Sequence, residues 1–204
     1  MHYFVALLGW SAGVLTLVSA LPQVISLLRT KDRRGISSWT YTIWALTSMG
    51  WCAWSLHVGA VPSAAVNALC VPILTTVVVL LRPSRTQTLL LLTGPLVCFG
   101  LGLLYVPALA AAASVLQVVS TLPSAKLAIQ RTTDLSGVSS GTWALMAAAS
   151  ACWIAYDIGI GYALAGAATV LTLVCSIVIA VKARTYQHPT SPAFSTTTEL
   201  APAT

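Results

Sequence analysis

The chain carries one stretch twice. LPQVISLLRTKDRRGISSWTYTIWALTSMGWCAWSLHVG, from Leu21 to Gly59, returns as LPSAKLAIQRTTDLSGVSSGTWALMAAASACWIAYDIGIG, from Leu122 to Gly161. Leu21-Pro22 answers Leu122-Pro123, and Thr30 answers Arg131 in a polar turn. After one inserted residue, Gly35-Ile36-Ser37-Ser38 answers Gly137-Val138-Ser139-Ser140. Trp51 then answers Trp153, Trp54 answers Tyr156 and Gly59 answers Gly161. An internal repeat on this scale decides the architecture before any single motif does, because it makes the chain a duplication of one unit.

Composition says which solvent that unit lives in. Hydrophobic residues make up 57% of the chain and charged residues 7%, against roughly 25% charged in soluble domains. A soluble fold of this size could not hide so much apolar surface. Runs of about 20 apolar residues read as membrane-spanning helices instead. Seven are expected, near 3–28, 40–59, 61–81, 88–106, 108–130, 141–161 and 163–181. Only helices and closed barrels satisfy every backbone group in lipid, which makes the chain an all-α integral membrane protein. The first run has no basic residue before it and is too long for a signal-peptide core, so it reads as a span. Cys52, Cys70, Cys98, Cys152 and Cys175 all fall in apolar runs without metal-like spacing, as small buried hydrophobes.

Charge sets the expected orientation. Arg29, Lys31, Arg33 and Arg34 follow the first run, Arg82 and Arg85 the third, Lys126 and Arg131 close the fifth, and Lys182 and Arg184 follow the seventh. These are all ten basic residues, and every one falls on the same side. The turns at Gly59–Val61, Val106–Pro107 and Gly161–Tyr162 carry none. The positive-inside rule then puts the N-terminus outside and the C-terminus in the cytoplasm. Basic charge of this kind reflects topology and anionic lipid, with no call for nucleic acid.

Three helices cross a membrane an odd number of times, so two triplets joined directly would be inverted. The unrepeated run 88–106 restores the orientation. The resulting plan is 3+1+3: a first three-helix repeat with its linker over 1–87, a connecting helix over 88–106, and a parallel second repeat over 107–185. Residues 186–204 are Pro/Ser/Thr-rich and read as a disordered cytoplasmic tail.

Pro22 and Pro123 stand near the basic ends of matching helices, where each removes a backbone hydrogen bond and makes a kink. A kink at the same place in both copies suits a paired hinge. Trp51 and Asn67 lie roughly 10–12 Å from the outer turn, given about 1.5 Å of rise per residue. Trp153 and Thr169 repeat them at the same spacing. Two aromatic faces with an amide and a hydroxyl at one depth can sandwich a small polar solute; the plainer alternative makes Asn67 a hydrogen-bonding link between helices. Trp54 and Tyr156 are further lining or interfacial anchors. Asp157 is the one acid within a span, a candidate for proton coupling by default. Its place about one turn from the helix end, and Ser55 as its counterpart, favour a solvated helix end. Gln117 reads as an interhelical hydrogen bond that can share a polar seam with Asn67 and Thr169. His2, His57 and His188 have no carboxylate cluster, nucleophile or phosphate loop near them. The chain is not expected to be an enzyme, and no cofactor or metal is expected.

Leu21-Pro22-Gln23, the Gly35-Ile36-Ser37 turn and the duplicated three-helix unit resemble the PQ-loop superfamily. Within it the plan is similar to SWEET sugar transporters, whose single-repeat relatives are the SemiSWEETs. CWIAYDIGIGYALAGAATVL, from Cys152 to Leu171, is similar to the SWEET pattern of a Cys-Trp-x-x-Tyr helix followed by the last span. The resemblance implies parallel repeats about an axis along the membrane normal and facilitated, alternating-access movement of a small solute. It puts the pocket Trp and Asn at Trp51, Trp153 and Asn67, and the hinge and gate at Pro22, Gln23 and Pro123. Three positions depart from the pattern. Thr169 stands where a second Asn would be, Ser124 replaces Gln, and the prolines expected early in the second and sixth spans are missing.

The expected function is therefore transport of a small neutral polar solute, sugar first, across the plasma membrane, with the lipid bilayer as the other partner and assembly of copies left open. One alternative is a proton-coupled amino-acid carrier, which needs Asp157 or another acid in the pathway. Another is a receptor of this fold for cargo, which needs Arg or Lys inside the bundle, where only Lys126 approaches it.

Overall fold

A computed structural model describes residues 2–104, 106–130 and 133–187. Arg131, His188 and the proposed tail beyond Gln187 lie outside the described residues. Among those described there are eight helical segments and no strand: α1 (His2–Ser19), α2 (Leu21–Thr30), α3 (Ser38–His57), α4 (Val61–Leu80), α5 (Arg85–Leu104), α6 (Val106–Ile129), α7 (Ser140–Gly159) and α8 (Ala163–Gln187). α1 and α2 are one rod interrupted at Ala20, so the segments make seven rods in the expected places. α8 runs past Lys182 and Arg184 because its last residue is pinned, with Gln187 Nε2 donating to the Val138 carbonyl at 2.7 Å. The tail expected from 186 thus begins with helix.

Among the described residues, four stretches are long and apolar enough to cross a membrane: Tyr3–Thr30, Val61–Leu80, Ala112–Ile129 and Gly166–Gln187. The other three rods, α3, α5 and α7, have 20 residues each, about 30 Å at 1.5 Å per residue. In α3 and α7 the lower hydropathy comes from side chains turned inward. α3 packs against α4, α5 and α6 and buries Thr40, Thr42, Thr47, Ser48 and Ser55. α7 packs against α1 and α8 and buries Thr142, Ser150 and Asp157. Their surroundings are largely protein, so most polar groups there find partners or cavity in place of hydrocarbon; the buried Thr142 hydroxyl has no partner among the described residues. The chain is an integral, multi-pass membrane protein.

The two copies build the same local structure. Ser37 and Ser139 cap α3 and α7 in extended backbone, their hydroxyls accepting from Thr40 N and Thr142 N as N-caps do. At the other ends, Ala60 N donates to the Ser55 carbonyl and Tyr162 N to the Asp157 carbonyl, each at 2.8 Å. Gly59 and Gly161 turn there with φ of +71° and +84°, a conformation that suits glycine. Each triplet also has its own core. Leu27, Tyr41 and Val77 lie in one, and Ala128, Trp143 and Ile179 occupy the matching positions in the other.

Packing between triplets follows the same exchange. Within each, the third rod lies between the first two: α4 contacts α1 and α3, and α8 contacts α6 and α7. The middle rod then leans on the opposite triplet, α3 on α6 and α7 on α1. α5 packs chiefly on α3.

The prolines behave unequally. Pro22 follows the break at Ala20, whereas α6 runs through Pro123 as one helix. Ser19 and Ser120 return matching hydroxyls to the carbonyls of Thr16 and Gln117. Thr121, standing where the first copy has Ala20, adds a second bond of this kind to the Val118 carbonyl at 2.9 Å. Such hydroxyls re-satisfy backbone groups near a proline in a span. The paired kink therefore becomes one break and one braced helix.

At the basic end the two polar loops lock together. Gln23 is fully buried, its Nε2 donating to the Gly137 carbonyl and its Oε1 accepting from Ser139 N, both at 2.9 Å. Ser124, at the matching place, is too short to reach the opposite loop backbone and donates to Thr40 Oγ1 at 2.8 Å. Arg34 pairs with Asp32 at 2.8 Å and with Asp134 at 2.7 Å, and Ser136 Oγ donates to Asp32. The Arg34 guanidinium, helped by its backbone N–H and by Ser136, holds the Asp32 carboxyl well below the usual carboxylate range. The backbone N–H of Ser136 lowers the Asp134 carboxyl. Groups with lowered folded pKa stabilise above their unfolded value, so this lock stays charged from neutral pH down to about 4 and is lost only below that.

A Cβ on Gly137 would lie 2.7 Å from the Arg34 carbonyl oxygen and 2.9 Å from that of Asp32. Gly137→Ala must therefore push the loops apart, and a loss of about 1–3 kcal/mol in stability is expected. Gly141→Ala, whose nearest contact would be an ordinary 3.7 Å, should leave stability equal or raise it by up to about 1 kcal/mol. Denaturation midpoints of the two variants in detergent check this.

Candidate functional site

Between the triplets lies a cavity of about 80 Å³, room enough for several waters or a small solute. Its wall is built largely from equivalent positions of the two copies. Thr16 and Gln117, Trp44 and Met146, Trp51 and Trp153, Asn67 and Thr169, and Cys70 and Thr172 all line it in pairs. The cavity thus straddles the boundary between the copies. Trp51, Asn67, Trp153 and Thr169, singled out by sequence, all contribute, as do Trp54, Asp157 and Gln117. Pro22, Gln23 and Pro123 are absent from its wall; Gln23 belongs to the lock at the basic end.

The aromatic groups are fixed by one another. Trp51 and Trp54 meet edge to face at 5.3 Å, and Trp153 and Tyr156 repeat the contact at 5.5 Å. Trp54 goes on to meet the ring of Tyr162 at 4.7 Å, near the turn after α7. Edge-to-face pairs of this kind contribute about 0.5–1.5 kcal/mol beyond area burial. Neither Trp54 nor Tyr156 is an exposed interfacial anchor, since both are buried. Tyr156 turns away from the cavity, its ring against Gly9 of α1.

The polar groups divide by what they spend. Trp153 Nε1 donates to Thr16 Oγ1 at 2.9 Å, tying α7 to α1 across the copies. Gln117 Nε2 reaches Thr169 Oγ1 and Thr172 Oγ1, each at 3.4 Å, so Gln117 is both an interhelical link and part of the wall. Asn67 Nδ2 donates to the carbonyl of Ser63, one turn back in its own helix, at 2.8 Å. Among the described residues its amide makes no hydrogen bond to another helix; it is held on the wall. The seam expected through Asn67, Thr169 and Gln117 exists at its Gln117–Thr169 end.

Asp157 departs from the expected solvated helix end. It is 7% exposed and forms part of the cavity wall. The chain covers it: the turn after α7 folds back so that Tyr162 N bonds the Asp157 carbonyl, and Gly166 of α8 comes close to its Cβ. Neither of the ion pairs among the described residues involves it.

Sequence reading passed over Thr16, Trp44, Thr47, Ser63, Ser120, Thr121, Trp143, Met146 and Ser150, which also line the cavity. Applying the repeat spacing to Gln117 would have found Thr16.

Residues 4–64 match the family model of the PQ loop repeat. A solved structure of a eukaryotic SWEET transporter superposes with a TM-score of 0.62 at 15% identity, covering 90% of this chain and 99% of that one. The fold is SWEET-like, and its first segment is similar to a PQ-loop repeat. No curated protein matches the sequence. The match over 4–64 runs from α1 into the start of α4, so the PQ-loop repeat contributes Thr16, Trp51 and Ser63 to the wall and Gln23 to the lock.

The hydrogen bonds rank two substitutions. Trp153→Phe removes a bond between helices and is expected to cost about 1 kcal/mol. Asn67→Ala removes one within a helix already held by its backbone, and a smaller loss is expected. Chemical denaturation of the purified variants checks the order; a larger loss for Asn67→Ala would make that amide a structural link after all.

Proposed function

We propose that this protein is a transporter, not an enzyme, that moves a small polar solute by facilitated alternating access. Two parallel three-helix repeats, 1–87 and 107–185 with the helix 88–106 between them, rock about the cavity at their boundary. The observation that carries this reading is the cavity wall itself, assembled from equivalent residues of two copies and rich in tryptophan faces and uncharged hydrogen-bonding groups. Solute sites at the interface of repeats are where transporters of this kind put them. A sugar is the first candidate: its apolar face suits Trp51 and Trp153, and its hydroxyls suit Asn67, Gln117 and Thr169. Pro22 and Pro123 serve as unequal hinges, and Gln23 with the Arg34 ion pairs as the gate at the basic end. The N-terminus lies outside and the basic loops face the cytoplasm of the plasma membrane.

Proton-coupled transport of an amino acid is the second reading, favoured by one observation: Asp157 is buried in the cavity wall. A receptor gripping a cargo carboxylate has less support, because Lys126 is exposed on α6 and no Lys, Arg or His lines the cavity among the described residues.

Counterflow in proteoliposomes separates the readings. With unlabelled glucose inside, labelled glucose should enter equally with and without a pH gradient, and Asn67→Ala should lower the rate about two- to tenfold, as expected for loss of a neutral ligand hydrogen bond. Amino-acid entry driven by the gradient, with no sugar exchange, would favour the second reading.

A further inference from the structure

The cavity is uncharged except at one point. Asp157 belongs to its wall, is 7% exposed, and has neither an ion-pair partner nor a side-chain hydrogen bond among the described residues. The first copy forms the same helix and turn without a carboxyl at this place. At the same place in the first copy stands Ser55, whose hydroxyl is spent on Ser63 Oγ at 2.7 Å. The sequence position matching Ser63 in the second copy is Ala165, which offers no side-chain hydrogen bond. A buried, unpaired carboxylate is costly unless a cation meets it, a proton neutralises it or cavity water solvates it, and among the described residues the wall supplies no Lys, Arg or His.

What surrounds the carboxyl also suits a cation. Trp44, Trp51, Trp54, Trp143 and Trp153 all line the same cavity, and tryptophan faces attract ammonium groups more strongly than other rings do. The remaining polar wall, which includes Asn67, Gln117 and Thr169, suits hydroxyl groups, so a bare amine would leave it unused.

We propose that the solute class is a polyhydroxylated amine, an amino sugar, whose ammonium group pairs with Asp157 while its ring stacks on the tryptophans and its hydroxyls face the amide side. This rests on the transporter reading and narrows its substrate. Asp157 then sets specificity: it discriminates an ammonium from a hydroxyl at one ring position. Charge-assisted hydrogen bonds are about twice as strong as neutral ones.

Binding to purified, full-length protein, read by intrinsic tryptophan fluorescence, tests this apart from transport. The probes are glucosamine, glucose and N-acetylglucosamine, the last keeping the ring while removing the charge. Glucosamine should bind at least about tenfold more tightly than glucose, the lower range for a hydrogen bond to a charged group, and N-acetylglucosamine should not share the advantage. In Asp157→Asn the ratio of glucosamine to glucose affinity should fall to about one. A residue with a purely structural role would weaken both sugars and leave the ratio unchanged. Equal binding of the two in the wild type, no binding of either, or an unchanged ratio in Asp157→Asn would overturn the proposal. Glucose exchange in vesicles with no preference for the amine would overturn it while leaving the transporter reading in place.

Discussion

The structure depends on an exchange of middle helices. α3 of the first triplet packs on α6 of the second, and α7 of the second packs on α1 of the first. Each middle helix is thereby shielded from much of the lipid, and this lets it carry buried Thr, Ser and, in α7, Asp157. A helix facing hydrocarbon on all sides would have to hide such groups against its own backbone. The cavity follows from the same exchange, because the two crossed contacts leave space between them lined by matching residues from both copies. The lock at the basic end follows as well: crossing brings the loop before α3 against the loop before α7, where Gln23, Arg34 and the tight contact at Gly137 hold them.

Much of this was legible in the sequence, for physical reasons. Spans are set by the length of apolar runs, and the bilayer leaves the backbone few alternatives. Trp51, Asn67, Trp153 and Thr169 came together because a constant rise per residue fixes depth, and duplication fixes which faces correspond. What stayed hidden needed three dimensions. Asp157 read as a solvated helix end because distance along a helix says nothing about a following turn that folds back over it. Pro123 read as a kink equal to Pro22, since the bracing hydroxyl of Thr121 counts only once its rotamer and acceptor are known. The repeat spacing from Gln117 points to Thr16, but its bond to Trp153 of the other copy is visible only in three dimensions.

Departures from symmetry are the informative part of a duplicated chain. Positions that match, such as the serine caps and the glycine turns, reflect what any copy needs to fold. Asp157 against Ser55, Thr169 against Asn67, Gln117 against Thr16 and Ser124 against Gln23 are four of the many positions where the copies differ. The first three face the cavity and the last faces the lock. At these four places the change alters hydrogen-bonding or charge, so the two halves of the cavity and of the lock are chemically unlike although the backbone plan repeats.

The claim most central to this account is that the solute passes through the cavity between the copies. Cys70 is a native cysteine in that wall, and a protein retaining it alone can be alkylated with a small permeant reagent during sugar exchange. Saturating solute should slow the alkylation of Cys70 in step with its occupancy of the cavity. Exchange that proceeds normally while Cys70 reacts at the same rate with and without solute would place the pathway elsewhere and contradict the account.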